Sequence, residues 1–191
     1  MTIQTRDKAT KKPDPAEVKG IEAQLDWLAT DNLRIGAAAA YYDTELTEDY
    51  CDFANIDADP ELECVNVKAP SGTALPLTPK FKGNLIARYS FPLGSFDAYT
   101  QGAFTYQDSA SSALEIVDND VVGDIPSSTY VNLAFGIEKE KYAIELFVSN
   151  ATNEDAPLGI NTECATSVCG VQPLAVRARP RPSGLRFSQE F

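Results

Sequence analysis

The chain has 191 residues, enough for one ordinary domain or a share of a larger one, and its 28 acidic against 16 basic residues give a net charge of −12. That balance argues against a general nucleic-acid binder, whose affinity rests on neutralising phosphates, and the absence of histidine removes the commonest general base and metal ligand, which argues against triad hydrolases. No run approaches the roughly 20 apolar residues of a membrane helix, and the opening MTIQTRDKATKKPDP has basic residues but no apolar core behind them, so it does not read as a secretory signal.

Over 16–29, AEVKGIEAQLDWLA sets Ile21, Ala23, Leu25 and Trp27 against Glu22, Gln24 and Asp26, a period of two that predicts a strand. Thr30-Asp31-Asn32 reads as a short polar turn. A second strand over 32–46 puts Leu33, Ile35, Ala37, Ala39 and Tyr41 on one face. Its four consecutive alanines favour a helix by propensity, so the strand reading rests on the flanking alternation and the hairpin context.

A long acidic segment follows, from 47 to 78. Between Arg34 and Lys68 there is no basic residue, while Asp43, Glu45, Glu48, Asp49, Asp52, Asp57, Asp59, Glu61 and Glu63 all lie there. Asp57, Asp59 and Glu61 stand at alternate positions and offer the oxygen ligands that calcium favours, but the turn glycine of a calcium loop is missing. A solvated acidic loop clipped by Cys51 and Cys64 is the preferred reading. Tyr50 and Phe53 are candidates for stacking on a planar or sugar-like solute, against a plain packing role. The remaining cysteines are Cys164 and Cys169. Four cysteines allow three connectivities, and the two sequence-local pairs are the simplest. Disulfides in loops imply an oxidising compartment; the rival, a zinc site, lacks C-x-x-C spacing.

Further along, 79–91 sets Phe81, Leu85, Ala87, Tyr89 and Phe91 against Lys82, Asn84, Arg88 and Ser90, and Pro92 and Gly94 turn the chain. The pattern over 95–107 is weaker, with Phe96, Ala98, Gly102, Phe104 and Tyr106 on one side. A polar segment spans 108–126. Strands over 127–138 and 141–150, joined by the charged turn EKEK, align Val131, Leu133, Phe135 and Ile137, then Tyr142, Ile144, Leu146 and Val148. Asn150-Ala151-Thr152 matches a glycosylation triplet but also fits a strand ending, which is preferred. After a third long segment, 151–181, the strand 183–191 alternates Leu185, Phe187, Gln189 and Phe191 with Gly184, Arg186, Ser188 and Glu190. Arg177, Arg179 and Arg181 beside prolines, with Arg186, read as a solvated extended segment rather than a phosphate reader.

The expectation is all-β: an antiparallel up-and-down meander of seven long strands with no helix, short turns at one end and long loops at the other. Alternation alone does not say what the apolar face meets, because soluble sandwiches alternate too. Strands longer than the usual five or six residues, aromatics near strand ends, and an opposite face holding Arg34, Lys82, Arg88, Asp97 and Gln101 all point to a transmembrane β-barrel.

On KGIEAQLDWLATDNLRIG, LPLTPKFKGNLIARYSF, YVNLAFGIEKEKYAIELFVSNATNEDAP and RPRPSGLRFSQEF, the chain resembles the carboxy-terminal barrel portion of a TonB-dependent outer-membrane receptor. The resemblance covers nearly everything after residue 16. It implies a passive wall segment of an importer of a scarce solute of the siderophore, cobalamin or carbohydrate class, with the ligand itself unknown. The implied location is the bacterial outer membrane, with long loops extracellular and the C-terminus periplasmic. The implied partners are outer-membrane lipid, the barrel-assembly machinery reading Phe191 and Phe187, and TonB only through an N-terminal plug that this sequence lacks. Residues 1–15 are expected to be an outer-loop remnant and 16–191 the C-terminal barrel segment, an open curved sheet with two free edges when alone and not transport-competent by itself. Neither nucleic acid, a cofactor nor an enzymatic constellation is expected, and the lack of histidine disfavours haem. The alternatives are a small autonomous outer-membrane pore or adhesin, for which 1–15 makes a poor eighth strand, and a soluble lipocalin-like binding protein.

Overall fold

A computed structural model describes residues 2–4, 16–52, 66–161 and 174–190. Its strands are β1 (Thr2–Gln4), β2 (Ala16–Thr30), β3 (Leu33–Leu46), β4 (Tyr50–Asp52), β5 (Asn66–Ala69), β6 (Phe81–Leu93), β7 (Phe96–Gln107), β8 (Ser128–Lys139), β9 (Tyr142–Val148), β10 (Pro157–Asn161), β11 (Leu174–Arg177) and β12 (Ser183–Gln189), with one helix, α1 (Ile116–Val122). Eight strands form one antiparallel sheet in the order β1-β2-β3-β6-β7-β8-β9-β12. The order follows the chain, so the sheet is a meander. It is not closed: β1 and β12 are its two edges.

The seven long strands lie where period two placed them, with ends shifted by at most two residues. Their hairpins turn tightly. Thr30 Oγ1 accepts hydrogen bonds from the amides of Asn32 and Leu33 at 3.3 and 3.0 Å, and Gly94 takes φ 64 between β6 and β7, a left-handed conformation that suits glycine. The sheet also takes up Thr2–Gln4, paired with Glu22–Gln24 of β2, within the stretch expected to be an outer loop.

The expectation of no helix is corrected by α1. Its residues, IVDNDVV, are mostly poor helix formers with no apolar stripe, so the sequence carries no helical period. The turn is held by local bonds instead. Asn119 Oδ1 accepts from the amides of Ser112 and Ala113 at 2.9 and 3.3 Å, and Gly123, with φ 82, ends the helix. The first and third long segments, read as irregular, fold back on themselves as the small hairpins β4–β5 and β10–β11.

Register sorts every side chain of the main sheet onto one of two faces. One face carries Ile21, Ala23, Leu25, Trp27, Ile35, Ala37, Ala39 and Tyr41 from β2–β3. Leu85, Ala87, Tyr89 and Phe104 from β6–β7 share it, as do Val131, Leu133, Phe135, Ile144, Leu146, Leu185 and Phe187 from β8, β9 and β12. From the Ile21–Tyr41 pair down to the tight turns, this face of β2 to β12 holds no Asp, Glu or Arg, and Lys139, at the last turn, is its only lysine. Beyond Ile21 charge begins, with Lys19 opposite Asp43 and Glu17 opposite Glu45. No described residue covers the apolar face: Leu25, Leu133 and Ile144 are 44, 50 and 39% exposed. Among the described residues no large side chain is fully buried.

Aromatic rings mark both limits of this band. Phe81 and Tyr106 lie 6.0 Å apart at the loop end, whereas Tyr89–Phe91 (5.7 Å) and Tyr142–Phe187 (6.2 Å) stack at the turn end. From Phe81 to Phe91 along β6 is ~33 Å at ~3.3 Å per residue. A strand tilted by about 40° turns this into ~25 Å of height, the thickness of the apolar band on outer-membrane barrels.

Candidate functional site

The opposite face gathers the charge. Arg34 of β3 stands directly across from Arg88 of β6, a like-charged pair that each relieves on its other side. Arg34 turns to Asp26 of β2, donating from Nε and Nη2 to the two carboxylate oxygens at 3.1 and 2.6 Å. The Arg88 guanidinium lies 3.5 Å from the Tyr99 ring centroid and 3.6 Å from Glu138.

From Tyr99 the contacts run on across the sheet. Tyr99, Gly136, Glu145 and Arg186 occupy one register row on β7, β8, β9 and β12. The Tyr99 hydroxyl donates to Glu145, two strands away, and Arg186 pairs with the same carboxylate. Tyr99 spans this distance by lying across Gly136, where a Cβ would stand 2.7 Å from its hydroxyl oxygen. The arrangement recurs. Tyr42 lies over its cross-strand partner Gly20 and donates to Glu22, and Phe147 lies over Gly184 with the Arg186 guanidinium 5.2 Å from its ring. Sequence reading missed these pairs. Their only signal is a glycine opposite an aromatic, which needs the register to be seen.

On the polar face β3 presents the small side chains Ala38 and Ala40 below Tyr42. Residues Glu22, Gln24 and Asp26 on one side and Lys82, Asn84, Thr105 and Gln107 on the other wall a trough of about 700 Å³. On the apolar side of the same strands Leu25, Phe81, Leu85, Phe104 and Tyr106 line a depression of about 430 Å³. The trough offers amide, hydroxyl and charged groups to water and polar solutes.

The first two long loops touch each other. Lys68 pairs with Glu115 at 3.5 Å, and the Leu77 amide bonds the Ser111 carbonyl at 2.9 Å, so the first loop is docked on the second. Asn150, 5% exposed with φ 49, ties the third loop to the sheet. Its Nδ2 donates to the carbonyls of Glu154 and Arg179 at 2.9 and 3.0 Å, and its Oδ1 accepts from the Glu154 amide at 2.8 Å. With that amide group fully engaged, Asn150-Ala151-Thr152 is a strand ending rather than a glycan acceptor.

Of the residues singled out in the sequence, Tyr50 stands half exposed at the start of β4. Cys51 beside it is buried and disulfide-bonded. Phe187 lies on the apolar face against Tyr142. Phe53, Asp57, Asp59, Glu61, Cys64, Cys164, Cys169 and Phe191 lie outside the described residues. Among those described, no three acidic or sulfur side chains gather as metal ligands would.

Comparison with known proteins gives the following. Residues 5–153 match the family model "TonB dependent receptor-like, beta-barrel". No curated protein sequence matches the chain. Among solved structures, the ferric yersiniabactin uptake receptor FyuA from Yersinia pestis aligns over 92% of this chain and 24% of its own, at 11% identity and a TM-score of 0.66. The siderophore receptor PiuA from Acinetobacter baumannii aligns over 90% of this chain and 21% of its own, with 18% identity and a TM-score of 0.61. For BauA, the ferric preacinetobactin receptor from the same organism, the figures are 92%, 22%, 16% and 0.64. The chain thus spans under a quarter of the length of each.

Proposed function

The chain belongs to the TonB-dependent receptor family as part of its β-barrel, and from that premise we propose that it forms barrel wall in an outer-membrane receptor that imports a scarce solute. The observation that carries this is the apolar face. Between the Ile21–Tyr41 pair and the tight turns, seven long strands turn uncovered Leu, Ile, Val and aromatic side chains outward with no Asp, Glu or Arg and a single turn-end lysine among them. Hydrocarbon is the surrounding that makes such a face stable, since in water a patch of this size needs a covering partner.

Closure follows from the same solvent. Unpaired strand edges are excluded from lipid, so β12 and the free edge of β2 are completed by further strands of a longer receptor. Alone, the chain is not transport-competent. The polar face then lines the lumen, and coupling to TonB runs through a plug domain. Siderophores are the substrate class favoured by the names of the three similar receptors, ahead of cobalamin and carbohydrates, and Tyr50 and Phe53 are the stacking candidates. Asp57, Asp59 and Glu61 remain a calcium candidate within the acidic loop. Cys51 pairs with Cys64 and Cys164 with Cys169 in this reading, each restricting a loop by about 2–3 kcal/mol in the chain-entropy model. The loops are extracellular and the C-terminus periplasmic, where Phe187 and Phe191 meet the assembly machinery.

Orientation is tested by inserting an epitope after Asp120 or between Glu140 and Lys141 in intact cells. The first is expected to be labelled by external antibody and the second only after the outer membrane is permeabilised. The reverse pattern rejects the orientation, and labelling of neither in permeabilised cells with the protein in the soluble fraction rejects the membrane reading.

A further inference from the structure

Above β12 the chain reads Arg177-Ala178-Arg179-Pro180-Arg181-Pro182. Each of the last two arginines precedes a proline, which pushes it out of the α region, and each proline fixes its own φ, so the segment is stiff and extended. Its backbone is also anchored. Asn150 Nδ2 donates to the Arg179 carbonyl at 3.0 Å, the Arg181 amide donates to Asn153 Oδ1 at 3.3 Å, and the Ser149 amide donates to the Pro182 carbonyl at 3.0 Å.

The side chains contrast with this fixed backbone. Arg177 is neutralised by Asp155 at 2.9 Å. Arg179 and Arg181 are exposed; among the described residues Arg179 has no acidic partner, and the Arg181 guanidinium reaches only the Ala151 carbonyl, at 3.5 Å. Two guanidinium groups on a rigid backbone, in a chain of net charge −12, call for an anion.

Height says which one. Gln189 pairs with Tyr142 beside the last tight turn, and Arg181 and Arg179 lie eight and ten residues from it, in the extended segment that precedes β12. At the spacing of an extended chain that is ~26 and ~33 Å, or ~20 to ~25 Å of height at a tilt of about 40°. They therefore stand at the height where the apolar band ends at the loop side. We propose that Arg179 and Arg181 bind the phosphate of a lipid headgroup at this interface, a phosphomonoester lipid suiting the bidentate guanidinium fork. This rests on the membrane reading above and adds a lipid site to it.

The test folds the complete receptor barrel that contains this chain into phosphatidylcholine nanodiscs with a little spin-labelled phosphatidic acid and measures the immobilised lipid. Removing each arginine (R179Q, R181Q) is expected to lower the preference for phosphatidic acid about fivefold, which corresponds to about 1 kcal/mol per arginine at an anionic surface. The R179K/R181K variant keeps most of it, and inorganic phosphate in solution does not displace the lipid. An unchanged preference in the glutamine variants overturns the proposal, and displacement by inorganic phosphate assigns the site to a soluble anion instead. Should the glutamine variants fail to insert, salt decides with the unaltered chain: preference lost at high salt supports the site, and insensitivity to salt rejects it. Quenching of Trp27 by brominated acyl chains, read in the same discs with any other tryptophan of the barrel replaced by phenylalanine, separates failure of this site from failure of the membrane reading.

Discussion

Tyr99 reaches Glu145 only because Gly136, which lies between them in the register row, has no side chain. Replacing Gly136 with alanine must displace the ring, uncoupling Tyr99 from Glu145 and Arg88 from the ring face. We expect Gly136→Ala to destabilise the sheet by about 1–3 kcal/mol, as overpacking does. Tyr99→Phe, which loses one hydrogen bond and keeps the ring, should cost about 1 kcal/mol. Urea unfolding of the two single variants and the double variant in detergent micelles checks both the order and the coupling, since residues sharing one contact do not add. Equal, additive effects would mean that the ring does not rest on the glycine. None of this was legible in the sequence, where Tyr99, Gly136 and Glu145 are far apart and only cross-strand register brings them together. Trp27, Leu133 and Ile144 were legible, because their side follows from period two alone.

In a membrane barrel, two neighbours on β8 meet different solvents. Leu133 lies mid-strand on the apolar face and Ala134 at the same height on the polar face. Leu133→Arg is expected to lose about 2–4 kcal/mol, the penalty for a charge at the bilayer midplane, while Ala134→Arg stays near neutral. The fraction folded into vesicles, followed by gel mobility without heating, reads the difference; a penalty for Ala134→Arg as large as that for Leu133→Arg would mean that both faces are buried in one medium. The long strands were readable because each repeats its alternation over many residues. The short elements were not. In β4–β5 and β10–β11 three to five residues are too few for a period, and α1 depends on Asn119 bonds made within its own loop. Thr2–Gln4 joins the sheet by backbone pairing with β2, which needs no side-chain pattern.

For the molecule as a whole, the sheet inverts the usual arrangement of a water-soluble fold. Apolar residues that a soluble domain would bury stand exposed on one side, and the ion pairs and hydroxyl contacts lie on the other. Net charge, loop asymmetry and aromatic bands follow the same division, as does the family to which the chain belongs. The chain contains a single tryptophan, and Trp27 is 53% exposed on the apolar face near the tight turn that follows β2. Its fluorescence therefore reports the solvent of that face without any label. With the barrel that contains the chain folded into vesicles and any tryptophan outside the chain replaced by phenylalanine, we expect emission shifted to the blue and strong quenching by lipids brominated near the headgroup end of the acyl chains, weakening as the bromines move toward the bilayer centre. Emission at the wavelength of water-exposed tryptophan, indifferent to brominated lipid in folded protein, would contradict the assignment of this face to the membrane.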